Sequence, residues 1–202
     1  MIKKVYIIRH AEPYFDFGEV TVLGRNSDPL LSQEGKKSAR EFAYAFAETA
    51  KKAGVIYTSP LKRAKMTAFE IAMAAGVQLN AISSLVEMDA GEWDGKTLTE
   101  IEDQYPELYA RRQEDMSIAP PGGEKFPYAA KRAEAAVTTI AAMSPSDTVV
   151  IVSHATLTRA LLCKLMDIPF KDNRTIPQDY LAVNTLEYDT ETNALTVVTE
   201  TA

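Results

Sequence analysis

Two histidines, a few arginines and a cluster of carboxylates are the residues of this chain whose types and surroundings could do chemistry. The only histidines are His10 and His154, and each stands at the end of an apolar, β-branched run: Val5 to Ile8 in one case, Thr148 to Ser153 in the other. Runs of this kind read as strands buried on both faces, which belong to α/β proteins. In such sheets ligands bind beyond the carboxyl ends of the strands, so both imidazoles fall where chemistry is placed. Arg9 stands beside the first of them. A third strand, Val55 to Thr58, leads into Ser59 as an N-cap and Pro60 as the first helical residue, which puts Arg63 in the opening helical turn. Two guanidinium forks, a helix N-terminus and two imidazoles describe a receptacle for a phosphate dianion. Glu87, Asp89, Glu92 and Asp94 supply carboxylates for proton transfer, and their spacing alone does not choose among them.

The elements that must position these groups follow in chain order. Residues 12 to 28 carry Pro13, Gly18, Gly24 and Asn26 among aromatic residues and read as a loop over the site, with Tyr14, Phe15 and Phe17 either lining a pocket or packing beneath it. Ser32 caps a helix whose Ala39, Phe42, Ala43, Phe46, Ala47 and Ala50 recur at three- and four-residue spacing until Gly54. The helix from Pro60 carries Ala64, Thr67, Ala68, Ile71 and Ala72 and stops at Gly76, and Leu79 to Leu85 is a weak strand. Thr97 to Glu114 holds two charged helical patterns divided by Pro106, a helical insertion of about 97–118 that either shapes a pocket or stands solvated. Beyond the turn at Pro120 to Gly123 a helix runs through Ala130, Val137 and Ile140 into the His154 strand. The helix after His154 carries Leu157, Leu161 and Leu165, and the N–H groups of Ala155 and Thr156 at its start are free beside the phosphate site. Ala182 to Tyr188 and Ala194 to Thr199 form a hairpin at a sheet edge.

At 202 residues the chain fits a single domain, residues 1–202, with room for a sizeable core. Apolar residues at 46 % and charged residues at 25 % are ordinary soluble values, which sets aside disorder and fibrous classes. A formal net charge of −6 argues against a nucleic-acid surface or an anionic membrane as partner, since both demand clustered Lys and Arg. The one cysteine, Cys163, lies among leucines and reads as a small core residue of a reduced compartment. No run is long enough for a signal peptide or a membrane span, so the expected address is the cytoplasm. With two distant histidines and one cysteine the chain has no zinc pattern, EF-hand or Walker loop, and no metal or cofactor is expected.

Taken together, Arg9-His10-Ala11-Glu12, Ser59-Pro60-Leu61-Lys62-Arg63-Ala64 with Thr67-Ala68, Glu87 four residues before Gly91, and Ser153-His154 resemble the signatures of the histidine phosphatase superfamily, in the family's order. Asp28-Pro29-Leu30 with Gly35, and Pro121-Gly122-Gly123-Glu124, are similar to the branch of small phosphatases that includes α-ribazole phosphatase. The resemblance implies a three-layer α/β/α sandwich with a mostly parallel central sheet and a small helical cap. It implies a metal-independent phosphomonoesterase working through a phosphohistidine on a small phosphorylated metabolite, with His10 as nucleophile and Glu87 as general acid. Arg9, Arg63 and Ala155 then bind the substrate and His154 completes the cradle, as a protonated or strongly donating imidazole. A mutase returning the phosphoryl group to a bound product, and a phosphate-binding module without turnover, are the alternatives. The family's phosphate-contacting Asn falls here on Asp16, whose charge would repel the substrate, so Asp16 is left out of the site. The resemblance makes Glu124 a candidate pocket residue, the roles of Glu124 and of Arg25 in the first loop stay unassigned, and the expected partner is a small phosphorylated substrate, with a homodimer left open.

Overall fold

The computed structural model describes residues 1–15 and 20–198. Six strands, β1 (Ile2–Arg9), β2 (Val55–Thr58), β3 (Gln78–Ala81), β4 (Thr148–Ser153), β5 (Val183–Asp189) and β6 (Leu195–Val197), form one sheet in the order β3-β2-β4-β1-β5-β6. The first four of that order run parallel, and β5 is antiparallel to both β1 and β6. The helices are α1 (Gln33–Ala53), α2 (Lys62–Ala75), α3 (Leu98–Gln104), α4 (Pro106–Glu114), α5 (Phe126–Met143) and α6 (Ala155–Leu165).

Alternation along the strands divides the core between two faces. Ile8, Ile56, Val150 and Val152 meet the alanine-rich faces of α1 and α2, where Ala43, Ala50, Ala64 and Ala68 let the helices lie close on the sheet. Val5, Ile7, Val149 and Ile151 point the other way, onto Ala129, Ala133 and Val137 of α5 and Leu157 and Leu161 of α6. The result is the expected α/β/α sandwich. Its topology also fixes where a ligand belongs. The chain leaves β1 toward the α1 face and leaves the adjacent β4 toward the α6 face, so a crevice opens between their carboxyl ends. His10 and His154 stand at those two ends.

Several boundaries differ from the sequence reading, each because a distant group intervenes. β1 starts at Ile2, since Ile2 to Val5 pair with Leu186 to Asp189 of β5. α2 starts at Lys62, not Pro60. Its free N–H groups are met from two sources: Asp28 accepts from Lys62 N at 2.6 Å, and Ser59 Oγ accepts from Leu61 N at 3.3 Å. β3 stops at Ala81, and Ser83–Leu85 is a turn of 3-10 helix rather than strand. The hairpin forms as β5 and β6, with Thr199 outside the described residues. Ser32 caps α1 through the Gly35 N–H, and Gly54 and Gly76 close α1 and α2 in the left-handed conformation that glycine tolerates. Among the described residues no helix is long and apolar enough to cross a membrane.

Lys3 shows how a basic residue in an exposed-looking segment can be part of the core. Its side chain is 8 % exposed, and Nζ donates to Ala141 O at 3.0 Å and Ser144 O at 2.6 Å, satisfying carbonyls at the C-terminal end of α5. Lys3→Met removes two charge-assisted bonds and leaves the carbonyls unpaired, so it lowers unfolding free energy by about 2–4 kcal/mol, whereas exposed Lys4→Met changes it by less than about 0.5 kcal/mol. Urea titration of both variants checks this, and equal effects would contradict it.

Candidate active site

His10 is held at the end of β1 by two fixed points. Its backbone N–H donates to Ser153 O at 3.0 Å, which ties it to β4, and the next residue, Ala11, donates to Thr67 Oγ1 of α2 at 3.0 Å. The ring Nδ1 lies 2.7 Å from the Ala11 carbonyl oxygen. A carbonyl only accepts, so Nδ1 carries the proton and Nε2 presents its lone pair. Burial pushes the His10 imidazolium down to about 3 from the ordinary 6.5, against the Ala11 bond and with help from the charges of Arg63 and Arg9. Its surroundings therefore favour the neutral form of His10.

His154, fully buried at the head of α6, packs edge-on against His10 with ring centroids 5.2 Å apart. Its Nε2 is 2.7 Å from Ser59 Oγ. Ser59 accepts from Leu61 N–H and keeps its own proton, which it can donate to His154 Nε2; in that tautomer the imidazole proton stands on Nδ1. That Nδ1 is buried and without a partner. Of the two expectations for His154, a protonated or a strongly donating imidazole, its surroundings favour the donating one. Burial, then the charges of Arg63, His10, Arg132 and Arg9, hold its proton affinity well below the ordinary value. Burial thus disfavours the charged form of both imidazoles.

Arg63 is 1 % exposed and reaches across from α2 to donate to Ser27 O at 2.8 Å and Gly24 O at 3.0 Å. Asp94 holds that turn in shape, accepting from the N–H groups of Gly24, Asn26 and Ser27. Arg9 donates to Gln178 O, and Tyr180 stacks on its guanidinium 4.0 Å from the ring centre. In both arginines Nε is buried without a partner. Three donors, Arg9 Nε, Arg63 Nε and His154 Nδ1, are thus left orphaned on residues that surround one imidazole. Each such group costs about 1–3 kcal/mol while unpaired.

Glu87 is the buried carboxylate of the acidic segment, 5 % exposed. It accepts from Met88 N at 2.8 Å, Leu157 N at 2.9 Å and Thr156 N at 3.1 Å, so it occupies the positive end of α6. This corrects the reading of α6: Thr156 N–H is not free for phosphate, and Ala155 N–H alone makes no hydrogen bond among the described residues. The other carboxylates are committed elsewhere. Asp94 shapes the 24–27 turn, Glu92 accepts from Tyr105 Oη at 2.5 Å, and Asp89 accepts from Gly91 N.

Beside Glu87 opens a cavity of about 140 Å³, roofed by Leu98, Tyr109, Arg112, Gln113 and Met116 of the insertion and reached by Arg174. Of the two alternatives for the insertion, pocket wall is the observed one. From the first loop the wall takes Val22, Leu23 and Gly24 rather than aromatic residues, and Tyr14 is exposed. Asp16 and Phe17 lie outside the described residues. Arg112, not Arg111, faces the cavity. Burial, then the nearby charge of Arg174, pushes its guanidinium down to about 10. Among the described residues no three His, Cys, Asp or Glu side chains gather as a metal-binding group.

Tyr180, Gln178 and Arg174 escaped the sequence reading because the segment between α6 and β5 has no periodic pattern to place it. Its ordering comes from distant partners: Gln178 Nε2 donates to Asn184 Oδ1, and Asn184 Nδ2 donates to Ile7 O in β1.

Two buried neutral imidazoles make stability depend on pH. The unfolded chain protonates them below about 6.5 while the folded one resists, so their contribution is fully present above that value and is lost as pH falls, toward about 3 for His10. Unfolding free energy therefore drops between about pH 7 and about pH 4, and drops less steeply in His154→Gln. An unchanged slope in that variant would contradict the assignment.

A sequence profile described as the histidine phosphatase superfamily, branch 1, matches residues 5–201. Phosphoserine phosphatase 1 of Hydrogenobacter thermophilus is 33 % identical over 82 % of this chain and 77 % of its own length. Some relatives are longer, and at 31 % identity the match takes in 81 % of this chain but 44 % of the bifunctional protein Rv2228c of Mycobacterium tuberculosis. Among solved structures, YhfR of Bacillus stearothermophilus superposes with a TM-score of 0.85 at 27 % identity, covering 98 % of this chain and 96 % of that one. The match over nearly the whole chain, joined to the two histidines and two arginines at one crevice, places the protein: it belongs to branch 1 of the histidine phosphatase superfamily.

Proposed function

We propose that this histidine phosphatase hydrolyses small phosphomonoesters in two steps through a phosphohistidine on His10. The observation that carries the reading is the set of three orphaned donors, Arg9 Nε, Arg63 Nε and His154 Nδ1, around a neutral imidazole whose Nε2 is unprotonated. In the first step His10 Nε2 attacks phosphorus, the bond to the ester oxygen breaks, and Glu87 gives its proton to the departing oxygen. In the second, Glu87 takes a proton from water, whose oxygen attacks phosphorus and releases His10 and inorganic phosphate. The orphaned donors meet the phosphoryl oxygens, where charge is carried through both transition states. Ala155 N–H adds a backbone donor at the same place. Neutral His154 serves by donating one proton in a hydrogen bond and needs no charge of its own to do so.

The leaving group belongs in the cavity beyond Glu87, and Arg112 and Arg174 favour one that bears an acidic tail. A relative named as a phosphoserine phosphatase acts on an ester of that kind. The chain works as one unit, with the insertion as its pocket wall. The cytoplasm remains the expected compartment on cysteine usage, and metal-free turnover remains the expectation.

Rapid quench with ³²P-labelled ester tests the reading. Label is expected on the protein in an acid-labile, base-stable form and is absent in His10→Asn, whose turnover falls by about three powers of ten or more. In the same assays kcat/KM for carboxylated phosphate esters exceeds that for p-nitrophenyl phosphate, and the gap narrows in Arg174→Gln. Turnover by His10→Asn at the wild-type rate would end the proposal.

A further inference from the structure

Glu124 lines the cavity next to Glu87 and has the look of a substrate-binding or proton-transferring carboxylate. Its bonds say otherwise. Oε1 accepts from Arg132 Nε at 3.1 Å; Oε2 accepts from Arg132 NH2 at 2.8 Å, from Arg25 NH2 at 2.9 Å and, more weakly, from Asp89 N at 3.4 Å. Burial alone would raise its proton affinity, but the hydrogen bonds and charge of Arg132, with the charge of Arg25, outweigh burial and hold the carboxyl below the usual range. Such a group stays ionised and spoken for. It has no proton to give and no free face to offer a substrate.

The cations it binds lead in two directions. Arg132 comes from α5, and its remaining nitrogen, NH1, donates to Ser84 O at 2.8 Å and Val86 O at 2.9 Å, on the N-terminal side of Glu87. Glu124 itself closes the other side, its backbone N–H donating to Asp89 O at 2.9 Å. The backbone that carries Glu87 is therefore gripped before and after by one ion cluster. In the other direction Arg25 belongs to the 24–27 turn, whose Gly24 and Ser27 carbonyls hold the guanidinium of Arg63. An unbroken run of bonds thus joins the arginine that holds phosphate to the backbone of the group that protonates the leaving oxygen.

We infer that Glu124, through its fork to Arg132 and its bond to Arg25, is a positioning residue that sets where Glu87 stands relative to the phosphoryl site. The inference rests on Glu87 being the general acid. Its physical basis is rigidity: a bidentate guanidinium–carboxylate pair fixes both distance and plane, and a displacement of about 1 Å in a reacting group can cost about a hundredfold in rate. Gly91 shows how tightly this region is built. Its φ of 53° suits glycine, and an added Cβ would fall on the Pro121 carbonyl oxygen of the loop that delivers Glu124.

A comparison of leaving groups separates misplacement of the acid from general damage. p-Nitrophenolate departs without protonation, whereas the alkoxide of glycerol 2-phosphate needs a proton. Glu87→Gln, Glu124→Gln and Arg25→Met are assayed on both esters, with thermal midpoints measured alongside. Glu124→Gln is expected to lower kcat on glycerol 2-phosphate by about 30- to 100-fold and on p-nitrophenyl phosphate by less than about fivefold, the pattern that loss of a general acid gives in Glu87→Gln. Arg25→Met shows the same bias to a smaller degree. Its side chain is 36 % exposed and bonds no backbone group among the described residues, so it decides the question if Glu124→Gln does not fold. Equal losses on the two esters, or none, in the variants that fold overturn the inference when Glu87→Gln shows the bias. If Glu87→Gln treats both esters alike, the assignment of the acid fails and the inference falls with it.

Discussion

Hydrogen-bond donors that are buried and deliberately left unpaired are the constraint on which the rest of this structure depends. Arg9, Arg63 and His154 are each anchored by some of their nitrogens and each keep one with no partner. Folding around such groups is unfavourable, and the charges of Arg9 and Arg63 lower each other's stability as cations. They stay in place because the scaffold over-determines them. β1 and β4 fix both histidines through a ladder of six residue pairs, and the turn that receives Arg63 is itself held by three N–H bonds to Asp94. In the proposed reaction a phosphoryl group entering the crevice relieves the repulsion and fills the open valences at once.

The negative charge inside this cationic region is placed with equal care. Both helices that point toward the crevice are met at their N-termini by a carboxylate, Asp28 on α2 and Glu87 on α6. Helix ends that might have been expected to hold phosphate are therefore occupied, and side chains take over that work. Side-chain donors can be aimed at the equatorial oxygens of a passing phosphoryl group, while Glu87, fixed on the α6 end, lines the cavity proposed above for the leaving group. The separation suits the proposed division, with binding by guanidinium and imidazole and proton transfer by carboxylate.

What could be read from the sequence was what depends on near neighbours. The strands ending at Arg9 and Ser153, the Ser32 cap and the Gly54 and Gly76 stops follow from runs and residues a few positions apart. His10, His154, Arg9 and Arg63 were legible because strand ends in an α/β sheet converge by topology. Glu87 was selected among four carboxylates by resemblance, and the structure sets it apart from the other three by its burial and its bonds to α6. Features that depend on partners far along the chain left no local mark. Asp28 caps a helix 34 residues away, Lys3 caps one 138 residues away, and Tyr180 stacks on an arginine at the opposite end of the sequence. The choice between a protonated and a donating His154 stayed open for the same reason: its sequence neighbours do not reveal that it is enclosed and ringed by cations.

The most direct measurement is a crystal structure of the protein with orthovanadate, which takes the trigonal-bipyramidal geometry of phosphoryl transfer. The expected result is vanadium bonded to His10 Nε2, with equatorial oxygens at about 2.7–3.2 Å from Arg9 Nε, Arg63 Nε and His154 Nδ1. Vanadate bound in the crevice while those three atoms stay unpaired, or bound away from His10, would contradict it.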